Sequence, residues 1–182
     1  KIKVVENNLF EIIKTIETYK GHAFDVNVDH VRSPDGLVFE RAVVKHSRSV
    51  VIIPVDNDSK MILVKQYRHP TGVYLLEAPA GKIEGDELPQ ECAQRELQEE
   101  IGYKALNLNL VSEFYVSPGY STEYMYAYVA TGLEPSTLQP DFDEFIEVER
   151  YSFSEINDLI TNGLIKDLKT IMITMYLQKI SQ

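Results

Sequence analysis

Between Ala23 and Val31 apolar and polar side chains alternate, with Phe24, Val26 and Val28 on one side and Asp25, Asn27 and Asp29 on the other. A two-residue period of this kind marks a half-buried strand. Ser33-Pro34-Asp35-Gly36 follows as a turn. Its proline presets φ, its aspartate bonds back to the backbone and its glycine accepts positive φ. Leu37 to Val44 then returns, so residues 20–44 are expected as a β-hairpin. The earlier Leu9 to Ile16 stretch fits a strand or a helix equally well.

Strand patterns continue at Ser49 to Val55 and Met61 to Tyr67, with Asp56-Asn57-Asp58-Ser59 turning between them. Arg68-His69-Pro70-Thr71-Gly72 breaks the pattern before Val73 to Glu77 resumes it. Glu87 to Ile101 has helical composition and no internal glycine, with Pro89 tolerable in the first turn. Asn109 to Tyr115 and Thr122 to Ala130 are expected strands around Ser117-Pro118-Gly119, and Thr131 to Asp143 a polar loop. Phe145 to Tyr151 is a short strand, and Ser152 with Glu155 forms a capping box for a helix ending at Gly163. A last helix is expected from about Lys166 to Gln178. This order predicts an α/β fold, a mixed β-sheet sandwiched between helices with an N-terminal antiparallel β extension.

Composition narrows the function. The chain has 182 residues, 44% hydrophobic and 25% charged, enough to bury a core. A net charge of −10 argues against a nucleic-acid backbone or an anionic membrane as partner. It does not argue against small anionic substrates, because a divalent cation inverts the local field. The apolar run Val50 to Val55 is too short to span a bilayer, and Glu6-Asn7-Asn8 stand where a signal peptide needs apolar residues. With one cysteine, Cys92, there is no disulfide framework or cysteine-rich zinc site. A soluble, cytoplasmic protein is expected, with Cys92 a small buried residue.

Chemistry concentrates in one stretch. On a helix Glu96, Glu99 and Glu100 stand at i, i+3 and i+4 and share a face. Arg95 can pair with Glu99, but one guanidinium cannot neutralise three carboxylates. Hard oxygen ligands gathered this way suit Mg²⁺ or Mn²⁺. Gly81 and Gly85 permit a tight loop before the helix, from which the Ala80 carbonyl can add a ligand. From the carboxylates alone, a solvated glutamate-rich face explains the stretch equally well.

The full spacing resembles the Nudix hydrolase signature, Gly-x5-Glu-x7-Arg-Glu-apolar-x-Glu-Glu-x-Gly-apolar. Gly81, Glu87, Arg95, Glu96, Glu99, Glu100 and Gly102 fill every fixed position, and Leu97 the first apolar one. Tyr103 departs from the aliphatic residue usual at the end. Gln66-Tyr67-Arg68-His69-Pro70, Leu76-Glu77-Ala78-Pro79-Ala80-Gly81 and Glu40-Arg41 resemble segments of the ADP-ribose and nucleoside-diphosphate-sugar pyrophosphatases. Pro118, 16 residues beyond Gly102, stands where ADP-ribose pyrophosphatases carry a proline. Ser47-Arg48 departs from the Pro-Gly often found after the histidine.

The resemblance implies a Mg²⁺-dependent (Mn²⁺ possible) pyrophosphatase that cleaves ADP-ribose and related nucleoside-diphosphate sugars to a nucleoside monophosphate and a sugar phosphate. By it, Glu96 and Glu100 are the main metal ligands, joined by Glu99 and the Ala80 carbonyl, while Glu87 braces the loop–helix–loop. Glu99, Glu100 and a late-loop acid are the catalytic residues. That acid is Glu144, with Glu147 as the alternative. Arg41, Arg68, Glu77 and Pro118 fall on substrate-binding positions; a planar fork suits a diphosphate, although either arginine alone also reads as surface charge. Phe24, Phe39 and Tyr19 could stack on a base, but apolar alternation favours core packing for at least two of them. The implied division is residues 1–46, an extension for dimerisation and substrate contact, and 47–182, the hydrolase domain. A homodimer is implied, its N-terminal strands crossing so that Arg41 meets the partner's glutamate helix. The rival readings are a hydrolase of GDP- or UDP-sugars and a non-catalytic ligand-sensing regulator on a degenerate fold. The complete glutamate set and the acidic charge speak against the regulator.

Overall fold

A computed structural model describes residues 9–139 and 145–180 of the chain. The chain divides into two compact units, one formed by residues up to Ser47 with Tyr115–Glu123, the other by Arg48–Phe114 and Tyr124–Gln182.

The first unit is a three-stranded antiparallel sheet in chain order: β1 (Glu11–Lys20), β2 (Asp25–Arg32) and β3 (Val38–Lys45). The expected hairpin is β2–β3, with Val26 opposite Val44 and Val28 opposite Ala42. Its turn closes where Gly36 N–H donates to the Ser33 carbonyl at 2.9 Å, Gly36 itself lying at φ +89°. Pairing decides what periodicity left open upstream. Ile16 and Tyr19 stand opposite Val28 and Val26, so this stretch is a strand. Every residue of β1 is exposed in the single chain, Ile12, Ile13, Ile16 and Tyr19 included. Residues 115–123 join this unit through Val44 N–H to the Tyr120 carbonyl at 2.8 Å and Thr122 N–H to the Val44 carbonyl at 3.0 Å.

The second unit holds two sheets. In one, β4 (Ser49–Pro54) lies between β7 (Ala80–Lys82), antiparallel to it, and β9 (Tyr124–Pro135), parallel to it, with β8 (Tyr103–Tyr115) at the edge. In the other, β5 (Met61–Arg68) pairs antiparallel with β6 (Val73–Glu77) and β10 (Ile146–Tyr151). Strand β4 is buried along its whole length, which is why it reads as a continuous apolar run. The parallel β4–β9 pair requires a long crossover. That crossover carries α1 (Pro89–Glu96), which runs into a π-helical turn (Leu97–Ile101). Val50, Ile52, Ile62 and Val64 pack against Cys92, Ala93, Leu97 and Ile101, fastening the glutamate-bearing helix to the sheets. Fully burying a side chain of this size contributes roughly 1.5–3 kcal/mol.

Three features depart from the sequence reading. The stretch 87–101 is not one α-helix, because its last five residues form the π turn. Gly102, at φ +75°, ends that turn and sends the chain directly into β8, which starts at Tyr103 rather than Asn109. Strand β9 continues through Pro135, into the stretch expected as loop. At the C-terminal end α2 (Phe153–Thr161) has the expected capping box, with Ser152 Oγ accepting from Glu155 N–H and Glu155 Oε2 accepting from Ser152 N–H. Helix α3 (Leu168–Ile180) closes the chain. No helix among the described residues is long and apolar enough to cross a membrane.

Candidate active site

The loop–helix–loop from Gly81 to Gly102 is organised around one guanidinium. Arg95 Nη1 donates to Glu96 at 2.7 Å and to Glu99 at 2.8 Å, and Nη2 donates to Glu87 at 2.8 Å and to the Lys82 carbonyl at 3.0 Å. The Glu99 contact is the pairing expected four residues on. Glu87 also accepts the Glu84 amide at 2.8 Å, so it ties the loop to the helix. Burial raises the Glu87 pKa, but the Arg95 and Glu84 hydrogen bonds outweigh it and leave this carboxyl below its ordinary value.

Glu96 and Glu100 are buried, each only 6% exposed. Ala80 N–H donates to Glu100 Oε2 at 3.3 Å, placing the loop backbone against the carboxylates. Gly81 leaves room for the Glu96 carboxylate, since a Cβ at that position would lie 1.8 Å from Glu96 Oε1 and push it aside. The site's chemistry therefore fits a hard divalent cation: three carboxylates share a single guanidinium, with backbone at close quarters. Among the described residues no three acidic, histidine or cysteine side chains are gathered as a finished cation site, and Glu96 and Glu99 are turned to Arg95 instead. The residues that would hold a cation are Glu96, Glu99, Glu100 and the Ala80 carbonyl.

A second cluster has the opposite balance. Glu77, 1% exposed, ends β6 and receives Arg68 as a two-pronged fork, Nε to Oε1 at 2.9 Å and Nη2 to Oε2 at 3.0 Å. Lys169 Nζ donates to the same Oε2 and, at 2.9 Å, to Asp167 Oδ1. Burial pushes the Glu77 pKa up, but Arg68 and Lys169 together hold it below its ordinary value. Glu100 adds to the negative surroundings that keep Arg68 charged against the cost of its own burial. Thus the structure brings Arg68 and Glu77 together, in electrostatic reach of the glutamate helix. Lys169 and Asp167 complete this cluster and were not expected from the sequence. The available signal was Asp167 three residues ahead of Thr170, a helix N-cap, with a lysine inside the first turn.

The remaining sequence candidates are Arg41, Pro118, Glu144, Glu147 and Cys92. Arg41 and Pro118 belong to the first unit; Arg41 is exposed on β3, its guanidinium 4.2 Å from the Phe39 ring centroid. Pro118 sits in a turn where Ser121 N–H donates to the Ser117 carbonyl at 2.9 Å. Glu144 lies outside the described residues. Glu147 pairs with Lys65 at 3.0 Å. Alternation along β5 puts Lys65 on the face opposite Arg68. Cys92 is fully buried, and burial together with the Glu96 and Glu87 charges raises its pKa well beyond the thiol range, which suits a packing role.

The NUDIX domain family matches residues 45–171, which span this whole arrangement. The chain belongs to the Nudix family. It is 36% identical over 174 residues to a "Methanol dehydrogenase activator" from Bacillus methanolicus, covering 93% of this chain and 94% of that protein. It is 35% identical over 164 residues to an "ADP-ribose pyrophosphatase" from Bacillus subtilis, with 89% of each covered. Among solved structures, an "ADP compounds hydrolase" superposes with a TM-score of 0.84 at 23% identity, covering 93% of this chain and 92% of that one, which shows the shared fold.

Proposed function

We propose that this Nudix protein hydrolyses the pyrophosphate bond of ADP-ribose and related nucleoside-diphosphate sugars, releasing a nucleoside monophosphate and a sugar phosphate. One observation carries the reading. Three carboxylates share the Arg95 guanidinium, and Glu100 beside them, which accepts the Ala80 amide, lies in electrostatic reach of the arginine fork held by Glu77. The relative named as an ADP-ribose pyrophosphatase supports the choice of substrate.

Glu96, Glu99, Glu100 and the Ala80 carbonyl would hold Mg²⁺, with Mn²⁺ as a substitute. When bound, the cation supplies charge neutralisation on the diphosphate and activation of water. The chain's own residues do the rest. Arg68 presents the guanidinium edge that Glu77 leaves uncovered to a diphosphate oxygen, and a planar fork matches that geometry. Glu77 is buried behind Arg68, so it serves the substrate through that side chain. Arg95 spaces Glu87, Glu96 and Glu99 and keeps their mutual repulsion tolerable. Glu144 is the proposed late-loop acid, because Glu147 is engaged with Lys65 on the other face of the sheet. Arg41 and Pro118 are proposed to contact substrate, with residues 1–46 acting as the dimerisation and recognition extension and 47–182 as the hydrolase domain.

A homodimer joined through the N-terminal sheet is part of the proposal. The uncovered apolar residues of β1 support it, since a three-stranded sheet needs one face covered. Light scattering of the full chain checks it, with a dimer mass expected. A cytoplasmic setting, where the lone thiol stays reduced, completes the reading.

The test is a substrate panel. The protein is incubated with Mg²⁺ and ADP-ribose, GDP-mannose, UDP-glucose, diadenosine polyphosphates or nucleoside triphosphates, and the products are identified. AMP and ribose 5-phosphate from ADP-ribose, at the highest kcat/KM of the panel, are expected. Preference for GDP-mannose or UDP-glucose would move the assignment to another base, and no turnover of any member would overturn it.

A further inference from the structure

The start of α3 grips two consecutive residues, Glu77 at the end of β6 and Ala78 after it, on the way into the glutamate helix. Asp167 Oδ2 accepts Thr170 N–H at 2.9 Å and the Thr170 hydroxyl at 2.5 Å, and that hydroxyl accepts Ala78 N–H at 2.7 Å. One residue earlier, Lys169 Nζ reaches Glu77 Oε2. That oxygen is the one that also accepts Arg68 Nη2 at 3.0 Å.

We propose that Lys169 is a positioning residue for diphosphate recognition, acting through Glu77 on Arg68; this rests on the functional reading above. A two-pronged arginine–carboxylate pair is close to coplanar, so whatever fixes the carboxylate plane fixes the guanidinium plane. Arg68 binds both oxygens of Glu77 from one side. Lys169 binds one of them from α3 and is itself tied to Asp167 at 2.9 Å. Without Lys169 the buried Glu77 loses a charged partner and can turn about its last side-chain bond. Arg68 turns with it. The edge of Arg68 not bound to Glu77 is what a diphosphate would meet, so its direction sets affinity. Lys169 is mostly buried, with both its partners acidic, so it acts behind Arg68 rather than on the substrate.

The experiment is a double-mutant cycle on the full chain with wild type, Lys169→Met, Arg68→Ala and the double variant. KM and kcat for ADP-ribose are measured with Mg²⁺, and Kd for ADP-ribose is measured in EDTA, where hydrolysis does not interfere. Lys169→Met is expected to raise KM and Kd about fivefold with kcat within about twofold, because only positioning is lost. In the Arg68→Ala background the same change is expected to alter either constant less than about twofold. Lys169→Arg, which keeps the charge, is expected to fall between wild type and Lys169→Met. Should Lys169→Met fail to fold by its thermal melt, Lys169→Gln takes its place in the cycle. Equal effects in both backgrounds, no effect in either, or a fall in kcat alone would overturn the proposal. If wild type binds ADP-ribose but cleaves no nucleotide sugar, the functional reading fails while the binding cycle still decides the role of Lys169. Wild type that does not bind ADP-ribose at all overturns both.

Discussion

Arg95 and Glu77 are mirror images of each other. Arg95 is one cation shared by Glu87, Glu96 and Glu99, whereas Glu77 is one carboxylate shared by Arg68 and Lys169. The Glu77 cluster is balanced, since Asp167 supplies the second negative charge. The Arg95 cluster gathers three carboxylates on one guanidinium. Two like charges about 4 Å apart repel by roughly 4 kcal/mol at the effective dielectric of a protein surface. Under the proposed function, Glu96 and Glu100, buried beside Glu99, would take the cation, and the edge of Arg68 that Glu77 leaves uncovered would meet the diphosphate. A diphosphate carrying a divalent cation would satisfy both at once.

The largest effect is expected from Glu100→Gln, which breaks the excess of negative charge while changing shape little. Its kcat should fall on the order of a thousandfold, and its melting temperature should hold or rise. Near-normal turnover at saturating Mg²⁺ would remove Glu100 from the site. Gly81→Ala comes next. Its methyl would displace the Glu96 carboxylate, so a loss of about a hundredfold in kcat/KM is expected in steady-state assays, from a misplacement on the ångström scale. Arg68→Ala addresses the balanced cluster instead. Its KM should rise about tenfold with kcat little changed, and unchanged constants would return Arg68 to plain surface charge.

The smallest effect is on acid stability. The Glu77 pKa is below its ordinary 4.5 in the folded chain, so its contribution is fully present above that value and is lost as pH falls through the lower folded one. Chemical denaturation of wild type should therefore lose stability as pH drops below 4.5, and Glu77→Gln should lose less over the same interval. Identical slopes would mean that Glu77 does not bind its two cations more tightly when charged.

The two clusters also differ in how far they could be read from the sequence. The Arg95 cluster is local, with all its members between Glu87 and Glu100, so helical spacing was enough to place Arg95 against Glu99. The π turn was not legible, because i, i+3, i+4 spacing is common to α and π geometry over one turn. The Glu77 cluster is non-local. Lys169 and Glu77 lie 92 residues apart, and no periodicity joins a strand end to the first turn of the last helix. For the fold, alternation identified β2 and β3 but could not separate strand from helix at Leu9 to Ile16, where pairing with β2 decides. The polarity of Thr131 to Asp143 hid the continuation of β9 to Pro135, an exposed strand end whose side chains carry little pattern.

The claim that the cation belongs with the carboxylates around Arg95, and not with the balanced cluster, is tested most directly by calorimetric titration of Mg²⁺ into wild type, Glu100→Gln and Glu77→Gln. Glu100→Gln should bind at least about tenfold more weakly, while Glu77→Gln should match wild type within about twofold. Wild-type affinity in Glu100→Gln, or a loss confined to Glu77→Gln, would contradict the account.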